Sequence, residues 1–218
     1  MALAIFDLDN TLLGGDSDHA WGEFLVQKGI VDGAVYGATN DRFYSAYQDG
    51  SLDIYMYLEF ALEPLTRFSL AELKQLHDEF MRTLIAPLRL PKADALIAEH
   101  RARGDFLLII TATNAFITRP IAHSLGIDAI LATEPELRDG RYTGGVTGTP
   151  CFREGKVACL REWLQQNPYD LAQAYFYSDS HNDLPLLNMV GKPVAVDPDA
   201  ALRSEAQQRG WPIISLRN

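Results

Sequence analysis

Alternation of short apolar runs with helix-like segments constrains the fold of this 218-residue chain more than any other feature. A short apolar run bounded by turn residues is typical of a strand that is buried on both faces. Strands that alternate with helices along a chain assemble into a parallel sheet with helices on both sides. The sequence therefore predicts the α/β class with a doubly wound parallel sheet. The predicted strands occupy residues 3–6, 106–110, 129–131, 174–177, 193–196 and 213–214.

One long segment near the N-terminus departs from this alternation. Residues 16–88 contain helix-like patterns and little strand signal, and the spacing of Ser69 and Glu72 matches a helix capping box. We interpret this segment as a small helical cap domain that is inserted after the first strand. The catalytic core is then expected to comprise residues 1–15 and 89–218.

Polar clusters follow three of the predicted strands. They occupy residues 7–11, 111–114 and 179–183, and Lys156 lies in the predicted helix before the last of these strands. The carboxyl ends of parallel strands meet at one edge of the sheet, which is where open α/β sheets place their ligands. We therefore expect the three clusters and Lys156 to form one site.

The residue types in these clusters indicate a metal and a phosphate group. Carboxylates that lie close together need a cation near them, and oxygen ligands without histidine or cysteine suit Mg²⁺. Thr111 and Lys156 would supply a hydroxyl group and a positive charge for phosphate oxygens. The carboxylates expected at this edge are Asp7, Asp9, Asp179 and Asp183.

With these elements in this order, the chain resembles the haloacid-dehalogenase superfamily, in the subfamily IB branch that includes phosphoserine phosphatases. The resemblance covers nearly the whole chain, because the helical insert is similar to that family's type-1 cap. It implies a phosphatase that hydrolyses small phosphate monoesters. The motifs that carry it are Asp7-Leu8-Asp9-Asn10-Thr11, Thr111, Lys156, and Asp179 with Asp183.

The resemblance also implies a role for each matched position. Asp7 would attack phosphorus and form an aspartyl-phosphate, and Asp9 would act as acid and then as base. Mg²⁺ would be held by Asp7, the backbone carbonyl of Asp9 and Asp179, with Asp183 orienting the metal shell. The implied contacts to the phosphate come from Thr111, the N–H of Ala112, Lys156 and Asn182.

The cap suggests which ester is the substrate. Asp16 stands where phosphoserine phosphatases carry an acid for the substrate's ammonium group, but the helix around 54–61 lacks their carboxylate-binding arginine. Ala112 and Thr113 replace their glycine pair, which should reshape the pocket. An acidic pocket favours an amino-alcohol phosphate, and histidinol phosphate is our first interpretation, with phosphoserine or broad specificity for small phosphomonoesters as alternatives. The acidic roof is predicted to comprise Asp16, Asp18, Glu59 and Glu63.

Charge and hydropathy exclude other classes of partner. The net charge of −10 argues against nucleic acid and against an anionic membrane surface. No apolar run approaches the roughly 20 residues of a membrane helix, and the N-terminus lacks the pattern of a signal peptide, so the expected location is the cytoplasm. The expected partner is a small phosphorylated metabolite, and the sequence leaves the oligomeric state open.

Two other functions are compatible with the same fold. A phosphotransferase would form the same aspartyl-phosphate and pass the phosphoryl group to a hydroxyl other than water. A non-catalytic binding domain would be expected to have lost Asp7, Asp9 or Lys156, and all three are present. A magnesium-dependent phosphatase is therefore the prediction.

Overall fold

In the computed structural model, which describes residues 2–217, a seven-stranded sheet forms the centre of the molecule. The strands are β1 (Leu3–Phe6), β2 (Phe106–Asn114), β3 (Ala129–Arg138), β4 (Arg141–Thr147), β5 (Tyr175–Ser178), β6 (Lys192–Val196) and β7 (Ile213–Ile214). Their spatial order is β4-β3-β2-β1-β5-β6-β7, and β4 is antiparallel to β3 while the other pairings are parallel. The predicted α/β class with a doubly wound sheet is thereby confirmed.

Helices connect these strands and cover both faces of the sheet. No helix within residues 2–217 is long and apolar enough to cross a membrane. The α-helices are α1 (Ser17–Gln27), α2 (Ala38–Asp49), α3 (Ile54–Leu62), α4 (Leu70–Phe80), α5 (Pro91–Ala102), α6 (Ala115–Ser124), α7 (Glu154–Leu164), α8 (Leu184–Leu187) and α9 (Ala200–Arg209).

The central strand β1 is buried on both faces, which explains its uninterrupted apolar sequence. Alternate residues of a strand point to opposite sides of the sheet. Ala4 and Phe6 face a hydrophobic cluster shared with α5 and α6, whereas Leu3 and Ile5 face a second cluster shared with α7, α8 and α9. Full burial of a large aliphatic or aromatic side chain stabilises the fold by about 2 kcal/mol. β1, and therefore the residue that follows it, is held from both sides.

Trp21 of α1 joins the helical insert to the sheet. Its ring lies edge-on to Phe80 at 5.1 Å and to Phe116 of α6 at 5.3 Å between ring centroids. The hydrophobic cluster on this side of the sheet is therefore continuous from α6 through α1 to α4. At the other end of the insert, α3 packs against β4.

The two connections between the insert and the sheet run side by side. Leu13 pairs with Arg89 in an isolated antiparallel bridge, and the N–H of Gly14 donates to the carbonyl oxygen of Leu88 at 2.7 Å. The N-cap of α1 follows at Asp16. We therefore keep residues 16–88 as the proposed extent of the cap.

Two strands run further than their apolar runs predict. β3 continues to Arg138 because it forms a hairpin with β4, and at its turn Asp139 and Gly140 have φ of 51° and 74°. Such positive φ values are typical of two-residue hairpin turns. β2 continues to Asn114, and its pairing with β3 becomes irregular between Ile110 and Asn114. This irregular end of β2 carries part of the site.

Candidate active site

Three polar clusters meet at the carboxyl edge of the sheet, as the sequence predicts. Asp7 follows β1, Thr111 lies near the end of β2, and Asp179 follows β5; these are the three neighbouring central strands. Asp7 and Thr111 are buried, and the N–H of Asp7 donates to the carbonyl oxygen of Tyr177 at 2.9 Å. The backbone of Asp7 thus remains in register with β5 beyond the end of its own strand.

Lys156 of α7 is buried between two of the carboxylates. Its Nζ lies 2.8 Å from Oδ1 of Asp7 and 2.8 Å from the carboxylate of Asp183. Burial lowers the pKa of Lys156, but the two carboxylates more than offset this effect and hold its pKa above the usual range. The lysine is therefore charged, and it brings a fixed positive charge next to Asp7.

The carboxylates at this edge outnumber their cationic partner. Burial raises the pKa of Asp7 to about 7, with Lys156 lowering it and Asp183 raising it. Burial and the neighbouring Asp7 hold the pKa of Asp179 well above its usual range. Like-charged carboxylates in a desolvated site disfavour their own ionisation unless a further cation is present. The site is therefore short of positive charge.

The donor set at this position fits Mg²⁺. Asp7, Asp179 and the backbone carbonyl of Asp9 are hard oxygen donors, and Thr11 donates its hydroxyl to Oδ1 of Asp179 at 3.0 Å. Within residues 2–217, no three side chains of His, Cys, Asp or Glu are assembled to hold a metal by themselves. Mg²⁺ commonly uses one or two carboxylates together with waters and substrate phosphate, so such a cage is not required.

Asp183 lies behind this donor set. Its carboxylate accepts hydrogen bonds from Lys156 at 2.8 Å and from Oγ of Ser178 at 2.7 Å. The carboxylate of Asp183 is therefore already hydrogen-bonded to donors of the protein. These contacts support an orienting role through Lys156 rather than direct ligation of the metal.

Asp9 points from the same loop toward the cap. Its Oδ1 accepts a hydrogen bond from the N–H of Ser17 at 2.7 Å, and its Oδ2 accepts one from Oγ1 of Thr113 at 2.8 Å. Burial raises the pKa of Asp9 to about 7, with a further contribution from Asp16. Ser17 is the first residue of α1, so the carboxylate also lies at the positive end of that helix.

A cavity of about 540 Å³, including its open mouth, lies between the sheet edge and the cap. It is continuous with the site, since Asp7, Asp9 and Thr111 line its floor, together with Ala112. Among the residues described here, no lysine or arginine lines it. The cap contributes aromatic side chains and further carboxylates: Phe43, Tyr44, Tyr47, Tyr57, Asp16 and Asp18.

Asp16 and Asp18 give this cavity an acidic wall. Asp16 caps α1 by accepting hydrogen bonds from the N–H groups of Asp18 (3.0 Å) and His19 (2.8 Å). Burial raises the pKa of Asp16 to about 6 and that of Asp18 to about 7, although a hydrogen bond from Tyr57 lowers the latter. The ring of His19 is bound to Asp41 at 2.8 Å. As far as residues 2–217 show, neither carboxylate is balanced by a lysine or an arginine in the cavity wall.

Glu59 does not reach this cavity, which corrects the prediction that it binds substrate. It is exposed, and it is not among the lining residues. On α3, Tyr57 faces the cavity while Leu58 and Leu62 face the core, so Glu59 points to solvent. Glu63 is also removed from the predicted roof, because it pairs with Arg67 at 2.5 Å.

Asn182 is buried and its amide is engaged by protein groups, and its predicted contact with the phosphate stays a prediction. Its Oδ1 accepts a hydrogen bond from Nε of Arg153 at 2.9 Å, and its Nδ2 donates to the carbonyl oxygen of Tyr47 at 3.0 Å. Arg153 also donates to the carbonyl oxygen of Gly50. Asn182 and Arg153 thus connect the end of α2 in the cap to the loop after β5 and the start of α7.

Tyr57 is a cavity residue that the sequence did not assign, and Thr113, which the sequence places at the pocket, has a contact with Asp9 that the sequence did not predict. Thr113 follows Thr111 by two positions, so strand alternation places both on the same side of β2, and this signal was available. Tyr57 belongs to a group of cap aromatics at helical spacing. Helical spacing does not reveal which member of such a group faces a cavity rather than the core.

Comparison with known proteins agrees with the order of the motifs. The family described as haloacid dehalogenase-like hydrolase matches residues 4–188. A histidinol-phosphatase of Neisseria meningitidis serogroup C (strain 8013) is 49% identical over 219 residues, and the match covers 99% of each protein.

Two solved structures share the fold of this chain. A protein of unknown function from Bordetella pertussis Tohama I has a TM-score of 0.92 at 45% identity and covers 99% of this chain and 98% of its own. The phospho-aspartyl intermediate analogue of phosphoserine phosphatase has a TM-score of 0.71 at 18% identity, covering 100% of this chain and 94% of its own. The second likeness is one of fold alone.

Proposed function

Because the chain belongs to the haloacid dehalogenase-like hydrolase family and is a phosphatase, we propose that it hydrolyses histidinol phosphate through an aspartyl-phosphate on Asp7, with Mg²⁺ as cofactor. The observation that carries this proposal is the acidic cavity next to Asp7. Asp16 and Asp18 line it, and within residues 2–217 it has no lysine or arginine in its wall. A small phosphorylated metabolite that is cationic at its other end fits this arrangement.

The side chains at the sheet edge divide the proposed reaction between them. A carboxylate oxygen of Asp7 attacks phosphorus, and the bond between phosphorus and the ester oxygen breaks. Asp9 donates a proton to the leaving oxygen. Asp9 then accepts a proton from the water that attacks the aspartyl-phosphate, which releases phosphate and restores Asp7. Mg²⁺, when bound, neutralises phosphate oxygens so that the anionic nucleophile can approach.

Lys156 and Thr111 hold the phosphoryl group during these steps. The ammonium group of Lys156 is fixed beside Asp7 before substrate arrives, so no reorganisation is needed as charge develops. Thr111 is buried at the cavity floor and presents a hydroxyl group. The backbone of Ala112 borders the same floor, and the carbonyl oxygen of Ala112 accepts a hydrogen bond from Thr133 at 2.9 Å, which fixes the backbone there.

The cap supports a cationic substrate without a carboxylate. Histidinol phosphate carries an ammonium group and an imidazole ring. Asp16 and Asp18 can accept hydrogen bonds from these groups, and the aromatic rings of Tyr44 and Tyr57 can pack against an imidazole. Phosphoserine would bring a carboxylate into the same acidic space. Arg67, the arginine nearest in sequence to α3, is exposed and paired with Glu63.

Steady-state kinetics with Mg²⁺ on histidinol phosphate, phosphoserine, and sugar and nucleotide phosphates tests this proposal. We expect kcat/KM to be highest for histidinol phosphate, by about tenfold or more over phosphoserine. Equal amounts of released phosphate and histidinol would distinguish hydrolysis from phosphotransfer. Asp7→Asn should abolish turnover, whereas Asp139→Asn, an exposed hairpin control, should not. A higher kcat/KM for phosphoserine would contradict the substrate assignment.

A further inference from the structure

We propose that Thr113 is a positioning residue that orients Asp9, the acid and base of the reaction proposed above, on which this inference rests. The hydroxyl group of Thr113 donates to Oδ2 of Asp9 at 2.8 Å. Thr113 is 6% exposed and lines the cavity beside Asp9. It comes from β2, 104 positions away in the chain, so the contact is a product of the tertiary fold.

The hydroxyl group of Thr113 is held on a fixed backbone. The N–H of Thr113 donates to Oγ1 of Thr111 at 3.2 Å, and the carbonyl oxygen of Ala112 accepts from Thr133 at 2.9 Å. These bonds secure the irregular end of β2, where pairing with β3 is out of register. Precise orientation of a catalytic group requires that its supporting residues are themselves held in place. Thr113 meets that requirement.

The two donors to Asp9 are not equivalent. The N–H of Ser17 can only donate, so it suits an unprotonated Oδ1. A threonine hydroxyl can donate to an ionised carboxylate or accept from a protonated one. We assign the transferred proton to Oδ2, the oxygen that faces Thr113, and the hydroxyl of Thr113 then donates to the remaining lone pair of Oδ2 and fixes its direction. The proton passes from Oδ2 to the ester oxygen as the bond between that oxygen and phosphorus breaks.

This role predicts a dependence on the leaving group. An alkyl phosphate releases a poor leaving group that needs a proton, whereas p-nitrophenyl phosphate releases a phenolate that does not. Because kcat/KM reports the steps up to release of the leaving group, it isolates the step in which Asp9 acts as acid. A residue that only supports the fold would affect both esters alike.

The experiment compares Thr113→Val, which replaces the hydroxyl with a methyl group, with Thr113→Ser, which keeps it. We expect Thr113→Val to lower kcat/KM for histidinol phosphate about 10–100-fold and for p-nitrophenyl phosphate about twofold or less. Thr113→Ser should restore most of the loss. Thr118→Val is the matched control, since Thr118 is also buried and its hydroxyl donates to the carbonyl oxygen of Asn114 and not to Asp9.

Equal losses for the two esters in Thr113→Val, or no loss for either, would overturn the inference. Thermal unfolding checks that the variants are folded, and Thr113→Ala serves if the valine variant is not. A wrong substrate assignment can be distinguished from a wrong role for Thr113. If the wild-type protein does not hydrolyse histidinol phosphate, the same comparison proceeds with whichever alkyl phosphate it does hydrolyse.

Discussion

Lys156 and Asp7 form a buried ion pair at the centre of the site, with Nζ 2.8 Å from Oδ1 and side-chain exposures of 2% and 4%. The same ammonium group contacts Asp183, so one cation serves two buried carboxylates. An ion that leaves water without a partner costs several kcal/mol. The stability of the fold and the geometry of the site therefore depend on the same lysine.

Replacing Lys156 should destabilise the protein as well as impair catalysis. We expect Lys156→Met to lower the free energy of unfolding by about 3–5 kcal/mol, because Asp7 and Asp183 would remain buried without their cation. We expect kcat to fall by about 10²-fold or more. Urea denaturation and steady-state kinetics measure these effects. Lys74→Met is the control, since Lys74 and its partner Asp78 are exposed, and equal stability of the two variants would contradict the prediction.

Asp18 should contribute to substrate selection. Asp18→Asn keeps the shape of the side chain and removes its charge, and a hydrogen bond to a charged group contributes about 1.5–3 kcal/mol. We expect kcat/KM for histidinol phosphate to fall about 10–100-fold, with little change for p-nitrophenyl phosphate, which has no cationic group. Glu59→Gln should leave both values unchanged, because Glu59 is exposed and outside the cavity. The opposite ranking of these two variants would refute the assignment.

Arg153 should hold the end of α2 against the core. Arg153→Ala removes hydrogen bonds to Asn182 and to the carbonyl oxygen of Gly50. We expect faster amide hydrogen exchange at residues 47–51 and a fall in kcat/KM of about tenfold, since Tyr47 in this segment lines the cavity. Arg161→Ala on the exposed side of α7 is the control. Unchanged exchange at residues 47–51 would show that the cap is held in another way.

Two buried histidines should each contribute a destabilisation of the fold in mild acid. Burial lowers the pKa of His77 and of His100. Below pH 6.5 the unfolded chain binds protons on these two histidines that the folded protein excludes, so their contribution to the free energy of unfolding falls as pH decreases, by at most about 1.4 kcal/mol per pH unit for each histidine. The raised pKa values of Asp7, Asp9, Asp16 and Asp18 act in the opposite sense, because the folded protein binds protons at these carboxylates before the unfolded chain does. Urea denaturation from pH 8 to 5.5 in Mg²⁺ measures the slope. His77→Asn and His100→Asn should each remove one such contribution, so that the free energy of unfolding at pH 5.5 relative to pH 8 is higher than in His123→Gln, an exposed control, and parallel curves would refute the prediction.

Element types and the family were predictable because they depend on local patterns. The apolar run at residues 3–6 became β1 with the same bounds, and Ser69 and Glu72 form the capping box that their spacing predicts. The strand ends that the motifs follow also lie side by side, since parallel strands direct their carboxyl ends to one edge. The fold can be predicted from such a sequence because several local signals agree with one global fold.

Glu59 and Asn182 have surroundings that local sequence patterns did not predict. The sequence predicts Glu59 in the acidic roof of the pocket, but the packing of Leu58 and Leu62 of α3 against the core directs Glu59 to solvent. Asn182 occupies a motif position, yet its amide is engaged by Arg153 and by the carbonyl oxygen of Tyr47. These partners come from distant segments, so no residue spacing in the sequence predicts the contacts.

The order of residues along the chain was therefore sufficient to identify the family and the doubly wound sheet, and the inserted cap and the phosphate-binding residues stay predictions. The contact of Asp9 with Thr113 emerges only when β2 pairs with β1, and the acidic wall of the cavity emerges only when the cap packs on the sheet. The physical reason is that secondary structure follows periodicities of two to four residues. The orientation of a side chain in a closed site depends instead on the packing of segments that can lie about a hundred residues apart in the chain, as Asp9 and Thr113 do.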